Sequence, residues 1–305
     1  MLIAVPADAP VGDLPPDARL ARLDEDDPIP DDTAFLVLEP VLRERLVEAL
    51  PRLTGLRVVQ TVHAGVDWVP SLPDGVLLCN ASGVHDGPVT EWIMGVLLAT
   101  GKRLPHYWDH QRAGTWDRSG NLSFGDGPAP RHLDESTVLI IGYGSIGALL
   151  ESRLAPFGTR ILRIARHPRD GVGGPEALPE SLGQADAVVL LAPSTPETRG
   201  MVGEKFLAAM RPGALLVNAA RGALVDHDAL LVALRAGQVR AALDATEPEP
   251  LPDGHPLWSA PGIMITPHVA GSSATWRTRA YRHVAEQVSA LAEGRPLRNV
   301  RHHGY

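Results

Sequence analysis

Arg221, Glu249 and His268 lie in three segments of similar design: NAARG (218–222), LDATEPEPL (243–251) and ITPHVAG (265–271). Each begins with a short apolar run and puts its polar residue just beyond it. A strand that ends in a loop reads this way, and it presents side chains at the carboxyl edge of a sheet, where open α/β folds bind ligands. A guanidinium offers a planar fork to a carboxylate, and an imidazole beside a carboxylate is a tunable acid and base. These are the parts needed to reduce a 2-oxo acid by hydride.

A place for the hydride donor precedes them. Val138-Leu-Ile-Ile runs into Gly142-Tyr-Gly144-Ser-Ile-Gly147, and a helical pattern follows at once. In a G-x-G-x-x-G turn the first glycine makes the tight bend. The second lets a pyrophosphate approach the backbone, and the third lets helix pack on strand. Free N–H groups at the helix start then face the phosphates. About 20 residues further on, an acidic residue would bind the 2′-hydroxyl of NAD, whereas an Arg suits the 2′-phosphate of NADP. Ala165 and Arg166 stand there, with Arg169 close behind. The expected cofactor is therefore NADP(H), with Arg166 as phosphate ligand, Arg169 in support and NAD(H) as the lesser possibility.

Positioning these residues needs an alternation of strands and helices. Apolar runs predict strands at 2–5, 34–38, 57–60 and 76–79, and an amphipathic helix at 41–50. An almost wholly apolar helix is expected at 89–101, and 117–134 reads as a loop. Strands then recur at 138–141, 161–165, 187–191, 214–217, 240–243 and 263–265, with helices near 145–155, 203–210 and 226–236. A long helix at 274–293 closes the pattern. Such alternation predicts parallel sheets covered by helices, and 305 residues suffice for about two domains.

Net charge is −8, which argues against nucleic acid or an anionic membrane as the main partner. The acidity concentrates at Asp24–Asp27 and Asp31–Asp32, read as a solvated loop. A single cysteine, Cys79, lies in an apolar run and reads as a buried small hydrophobe in a reducing compartment. The chain opens on an apolar strand without a basic leader, and no apolar stretch approaches the ~18 residues that span a bilayer. A cytoplasmic protein is expected.

Taken together the segments resemble the D-2-hydroxyacid dehydrogenase family, over about residues 55–300. The resemblance rests on GYGSIG (142–147), LLAPSTPETRGMVGEKFLAAMRPGALLVNAARGALVD (190–226), LDATEPEPLPDGHPLW (243–258) and ITPHVAG (265–271). HAGVD (63–67) and CNASGVHDGPVTEW (79–92) are weaker matches. It implies an α/β protein with a Rossmann-like nucleotide-binding domain, 98–273, inserted into a flavodoxin-like substrate domain, 1–97 and 274–305. The substrate would bind in the cleft between, and the protein would be a homodimer.

By the same resemblance Arg221 binds the substrate carboxylate, His268 donates the proton, and Glu249, not Glu247, orients His268 and favours its protonated form. Asp244 would hold the nicotinamide carboxamide. The backbone of Ala64, Gly65 and Val66 would bind the carboxylate from the other side. Ser145, Ile146, Ala192, Pro193, Ala219, Ala220, His268 and Gly271 complete the implied cofactor contacts, beside the glycines and arginines above. One departure stands out. The family's D-V-F reads Asp244-Ala245-Thr246 here, which leaves more space or polarity near the nicotinamide.

The implied reaction is reduction of a small 2-oxo acid of the glyoxylate or hydroxypyruvate kind, with larger or phosphonate-bearing acids as the alternative. A corepressor-like binding protein is a further alternative, disfavoured by the lack of extended tails. Glu249 stands where formate dehydrogenases carry Gln, and Ala64 where phosphite dehydrogenases carry Lys. His63 and His85 read as loop caps, and Trp68, Trp92 and Trp276 as core or pocket wall. His106 and His110 have the i, i+4 spacing of a metal pair, but no further cluster in the sequence completes a site, and no metal is expected.

Overall fold

Apolar runs bounded by Gly, Pro and Asp become short strands along the whole chain. In the computed structural model, residues 1–24, 26–121 and 131–301 are described. Glu25 of the acidic run, 122–130 of the expected loop and the last four residues, 302–305, lie outside them.

In chain order the first stretch forms β1 (Leu2–Pro6), β2 (Arg19–Leu23), β3 (Thr33–Leu38), α1 (Arg43–Ala49), β4 (Val58–Thr61) and β5 (Leu77–Cys79). The middle begins with α2 (Asp86–Gly101), α3 (Leu104–Arg112), β6 (Thr137–Ile141), α4 (Ser145–Leu154) and β7 (Arg160–Ile164). It continues with α5 (Leu178–Gln184), β8 (Ala187–Leu190), α6 (Glu204–Ala209), β9 (Ala214–Asn218), α7 (His227–Arg235), β10 (Val239–Leu243) and β11 (Ile263–Ile265). The chain closes with α8 (Trp276–Ala292) and β12 (Val300–Arg301).

Two six-stranded sheets result. The first runs β12-β5-β4-β3-β1-β2, parallel except for β12, which pairs antiparallel with β5 through Val300 and Cys79. Its parallel strands follow the flavodoxin-like order, 2-1-3-4-5 by appearance. The second runs β11-β10-β9-β8-β6-β7 and is parallel throughout. A single parallel bridge between Ile164 and Gly173 adds to its outer edge beyond β7. The chain reverses direction across this sheet between β6 and β8, so the loops after those strands flank the switch point where such folds bind nucleotides.

Strands β6, β8 and β9 are buried along their whole length, as expected when helices cover both faces. Alternate residues feed two cores. Leu139, Ile141, Val188, Leu190 and Leu216 pack on one face, and Val138, Ile140, Val189 and Val217 on the other. The first sheet does the same. Ile3, Val5, Phe35 and Val37 meet Tyr281, Val284 and Val288 of α8, while Ala4, Leu36, Leu38 and Val59 meet Leu46 of α1.

The chain divides into one unit of Met1–Asp86 with Gly271–Tyr305 and another of Gly87–Ala270. The first is thus built from both chain ends. The first boundary falls earlier than the expected 97/98 because Val89, Ile93, Val96 and Leu97 of α2 pack against Val138 and Ile140, and the second falls at 270/271 where 273/274 was expected. Three elements carry little sequence signal. β2 is an edge strand interrupted by two arginines, α5 buries only Leu182, and β12 is two residues long. Among the described residues no helix is long and apolar enough to cross a membrane.

Candidate active site

Arg221, Glu249 and His268 follow β9, β10 and β11, three neighbouring parallel strands of the second unit, at their carboxyl ends. Asn218, fully buried, shapes the first of these loops. Its Nδ2 donates to the Arg221 carbonyl at 2.8 Å, and its Oδ1 accepts from Ala220 N–H at 3.1 Å. The Arg221 Nη1 donates to the Ala220 carbonyl at 2.9 Å. Gly222 then lies so close to the next loop that a Cβ would come within 2.0 Å of the Thr246 carbonyl. Only glycine lets the Arg221 loop and the Glu249 loop touch backbone to backbone.

The Glu249 Oε1 lies 2.6 Å from the His268 Nδ1. A carboxylate oxygen accepts, so Nδ1 carries the hydrogen and Nε2 is left free of the pair. Glu247 is engaged elsewhere, with Arg199 at 3.1 Å. Thr246, where the family has an aromatic residue, is buried, and its hydroxyl donates to the Pro248 carbonyl at 3.0 Å. The departure thus appears as a tether on the residue before Glu249.

His268 has a left-handed backbone, φ 53°, which is costly for a side-chain-bearing residue. Asp244, 3% exposed, holds it there. Its carboxylate accepts from Thr266 Oγ1 at 2.6 Å, Val269 N–H at 2.9 Å and Ala270 N–H at 2.9 Å. Its carbonyl accepts from His268 N–H at 2.8 Å. Bracing the His268 loop therefore takes most of the acceptor capacity of Asp244, a task the sequence did not disclose.

The turn after β6 fits a dinucleotide. Gly142 has φ 93°, and a Cβ there would lie 2.3 Å from Ala192 N. At Gly147 a Cβ would press on Tyr143 and Ile140 at 3.1 and 3.2 Å. Nothing lies within 4 Å of the corresponding point at Gly144. Gly144 and Ser145 are exposed, Ile146 is half-buried, and no side chain caps the start of α4, so its first amides are open to an anion. Ala192 and Pro193 follow β8, and Ala219 and Ala220 follow β9, on the same edge.

Tyr143 is anchored between two arginines. Its hydroxyl donates to Glu151 at 2.6 Å, and the guanidiniums of Arg163 and Arg169 lie 5.8 and 5.6 Å from its ring centre. The Arg163 guanidinium, then the Tyr143 hydroxyl, hold Glu151 below the usual carboxylate range. Arg169 also donates to the Tyr143 carbonyl at 2.7 Å, which fixes it beside the glycine turn. Ala165 is half-buried, and Arg166 is exposed with no hydrogen bond among the described residues.

In the first unit, the loop after β4 turns its carbonyls inward. The His63 carbonyl accepts from Thr61 Oγ1 at 2.7 Å, Ala64 from Asn80 Nδ2 at 2.5 Å and Gly65 from Trp68 Nε1 at 3.1 Å. The N–H groups of Ala64 and Gly65 have no acceptor among the described residues, and both residues are half-exposed. Next to the loop the rings of His63, His85 and Trp276 lie 5.5–5.8 Å apart. The two nitrogens of His85 each lie 3.1 Å from a carbonyl, those of Gly271 and Val62.

Asn80 and Asn218, the two amides that fold these loops, escaped the sequence reading. The available signal was an Asn closing an apolar run, in Leu-Leu-Cys-Asn80 and Leu-Leu-Val-Asn218.

Comparison with known proteins places the chain in a family. The family model for the NAD binding domain of D-isomer specific 2-hydroxyacid dehydrogenases matches residues 94–270. A glycerate dehydrogenase of Methylorubrum extorquens is 32% identical over 258 residues, covering 84% of this chain and 81% of that protein. The chain spans about half the length of the D-3-phosphoglycerate dehydrogenases it matches. A D-isomer specific 2-hydroxyacid dehydrogenase from Xanthobacter autotrophicus, solved with NADPH and MES, superposes with a TM-score of 0.82 at 30% identity over 100% of this chain and 99% of that one. An NADPH-dependent glyoxylate/hydroxypyruvate reductase from Sinorhizobium meliloti, solved with NADP and sulfate, gives 0.81 at 28% identity, again over 100% and 99%. The chain belongs to the D-isomer specific 2-hydroxyacid dehydrogenase family, oxidoreductases that use a nicotinamide cofactor to act on a CH–OH group.

Proposed function

We propose that this chain is an NADP(H)-linked reductase of a small 2-oxo acid of the glyoxylate or hydroxypyruvate type. The observation that carries the reading is the 2.6 Å hydrogen bond between Glu249 and His268 Nδ1, at the edge that also carries Arg221. Bound NADPH supplies a hydride to the keto carbon. His268 then gives the proton on Nε2 to the keto oxygen as alkoxide character develops, and Glu249 offsets the charge of the imidazolium. Arg221 holds the carboxylate and stabilises the developing charge. The outward N–H groups of Ala64 and Gly65, with Val66 beside them, are donors suited to a carboxylate.

The first amides of α4, at Ser145, Ile146 and Gly147, are suited to the pyrophosphate. Ala192, Pro193, Ala219, Ala220 and Gly271 are proposed as further cofactor contacts. The remaining lone pair of Asp244 suits the amide of the nicotinamide. Preference for NADP rests on Ala165, which lacks a carboxylate for the ribose, and on the exposed guanidinium of Arg166, which makes no hydrogen bond among the described residues, with Arg169 beside it. The Sinorhizobium relative is described as NADPH-dependent. A homodimer is proposed as well. Leu104, Trp108 and Trp116, on and just after α3, are 54%, 65% and 87% exposed, an apolar surface of the kind that subunit contacts cover.

The test is steady-state kinetics on a panel of 2-oxo acids with each cofactor. Turnover of glyoxylate or hydroxypyruvate with NADPH is expected, and Arg166→Ala should reduce the preference for NADPH about 10- to 100-fold, the worth of a hydrogen bond to a charged group. Equal or better use of NADH by the wild type sinks the cofactor reading. Absence of turnover with every acid sinks the reaction.

A further inference from the structure

Helix α3 carries His106 and His110 four residues apart, so both rings lie on one face. Their ring centres are 4.7 Å apart. The chain then turns at Gly114, φ 67°, and folds back, with Thr115 N–H donating to the His110 carbonyl at 2.9 Å. This turn delivers Asp117. One donor atom from each of His106, His110 and Asp117 lies within 4.8 Å of the other two.

The surroundings prepare each group to coordinate. Thr115 Oγ1 lies 2.8 Å from His110 Nδ1 and 3.3 Å from the His110 carbonyl. With Nδ1 held by the hydroxyl, His110 Nε2 is the ring nitrogen left for a metal, the arrangement of a ligating histidine whose outer nitrogen is fixed by a second bond. Asp117 is oriented in the same way, since its Oδ1 accepts from Ser119 N–H at 2.9 Å and its Oδ2 from the Ser119 hydroxyl. His106 Nε2 lies 2.5 Å from Asp117 Oδ2.

We propose that His106, His110 and Asp117 bind one Zn²⁺ or a similar first-row divalent cation, which staples α3 to the turn that follows it. Two imidazole nitrogens and a carboxylate suit zinc and its neighbours, not the all-oxygen preference of calcium or magnesium. With metal–ligand bonds of about 2.0–2.1 Å, neighbouring ligands in a tetrahedron lie about 3.3 Å apart. Side-chain rotation covers the difference. The ion inserts between His106 and Asp117 in place of their hydrogen bond, and water completes the shell. The site is separate from the reductive chemistry, since none of its residues belongs to the loops after β9, β10 and β11.

Tag-free protein, stripped with a chelator, is titrated with Zn²⁺ in a calorimeter, and with Co²⁺ while visible absorption is followed. One saturable site per chain is expected, with a tetrahedral cobalt spectrum and a higher melting temperature in zinc. His106→Gln, His110→Gln and Asp117→Asn should each weaken uptake about tenfold or more. Thr115→Val, which leaves every ligand in place, should weaken it as loss of an outer-shell partner does, by about 10-fold or more. Absence of saturable uptake in the micromolar range, or uptake that the three ligand variants leave unchanged, overturns the proposal.

Discussion

Two buried asparagines, one at a strand end in each unit, carry different loads. Asn80 directly follows β5 in the first sheet, and Asn218 ends β9 in the second, at 1% and 0% exposure. Each uses its Nδ2 to hold a loop carbonyl and its Oδ1 to hold a loop N–H. For Asn80 these are the Ala64 carbonyl and Ser82 N–H, and for Asn218 the Arg221 carbonyl and Ala220 N–H. The first loop exposes backbone N–H groups, whereas the second carries a guanidinium beside an imidazole–carboxylate pair. The same amide device thus braces a strand-end loop in each unit, and the proposed function assigns dipolar binding to one loop and charge with proton transfer to the other. The fold supplies the edge, and the residues mounted on it supply the chemistry.

If that division holds, turnover is most sensitive in the second unit. His268→Asn removes the proposed proton donor while leaving the glycine turn intact. A fall in kcat of about 10²–10⁴-fold is expected, with little change in NADPH affinity measured by fluorescence titration. Glu249→Gln should lower kcat and alter the pH profile, because an amide cannot offset the imidazolium. Glu247→Gln, which loses only an exposed pair with Arg199, should leave both near wild type. The comparison breaks if Glu247→Gln proves the damaging change and Glu249→Gln the silent one.

A smaller effect separates the asparagines themselves. Each replacement by Ala removes three hydrogen bonds at a buried site and should cost about 1–3 kcal/mol, read as a lower melting temperature. Their kinetic signatures should differ. Asn218→Ala frees the Arg221 loop and should lower kcat as well as kcat/KM. Asn80→Ala frees the loop at Ala64 and should raise KM for the oxo acid with kcat nearly kept, the mark of lost uniform binding. Identical signatures would show that the two edges do not divide the work.

Much of this was legible in the sequence, and the remainder was hidden for identifiable reasons. Strands such as Thr137–Ile141 and Ala214–Asn218 are buried on both faces, so they read as unbroken apolar runs. Arg221, Glu249 and His268 stood out because each follows such a run. The engagement of Glu247 with Arg199 was not visible, since it joins residues 48 apart through sheet register. Asp244 had an implied cofactor role, but its bonds to Thr266, Val269 and Ala270 need β10 and β11 side by side. The edge strand β2, RLARL, lacks the apolar run that marked the others. Asp117 becomes a partner of His106 only through the bend at Gly114, which spacing along the chain does not reveal.

The mildest test uses one half-buried histidine in each unit. Burial pushes His227, at the start of α7, and His283, in α8, below the ordinary imidazole value; the charge of His255 adds to the effect on His227. His283 keeps its neutral form against the Asn80 carbonyl, with Nε2 at 3.3 Å. In the unfolded chain both take up a proton near pH 6.5. The folded protein resists that proton, so the unfolded state binds more of them as pH falls. The contribution of these neutral rings is therefore complete above about pH 6.5 and is lost as pH drops through the lower folded values. Carboxylates held by arginines, such as Glu151 and Asp8, lose their contribution only at more acid pH, because their values are lowered too. Between about pH 7 and pH 5 the melting temperature should fall, and His227→Gln and His283→Gln should each flatten part of that slope. Flattening by His283→Gln alone would place the acid sensitivity in the first unit, beneath the loop that Asn80 holds. If neither variant changes the slope, burial of these rings is not what sets it, and the acid-labile groups must be sought among the carboxylates.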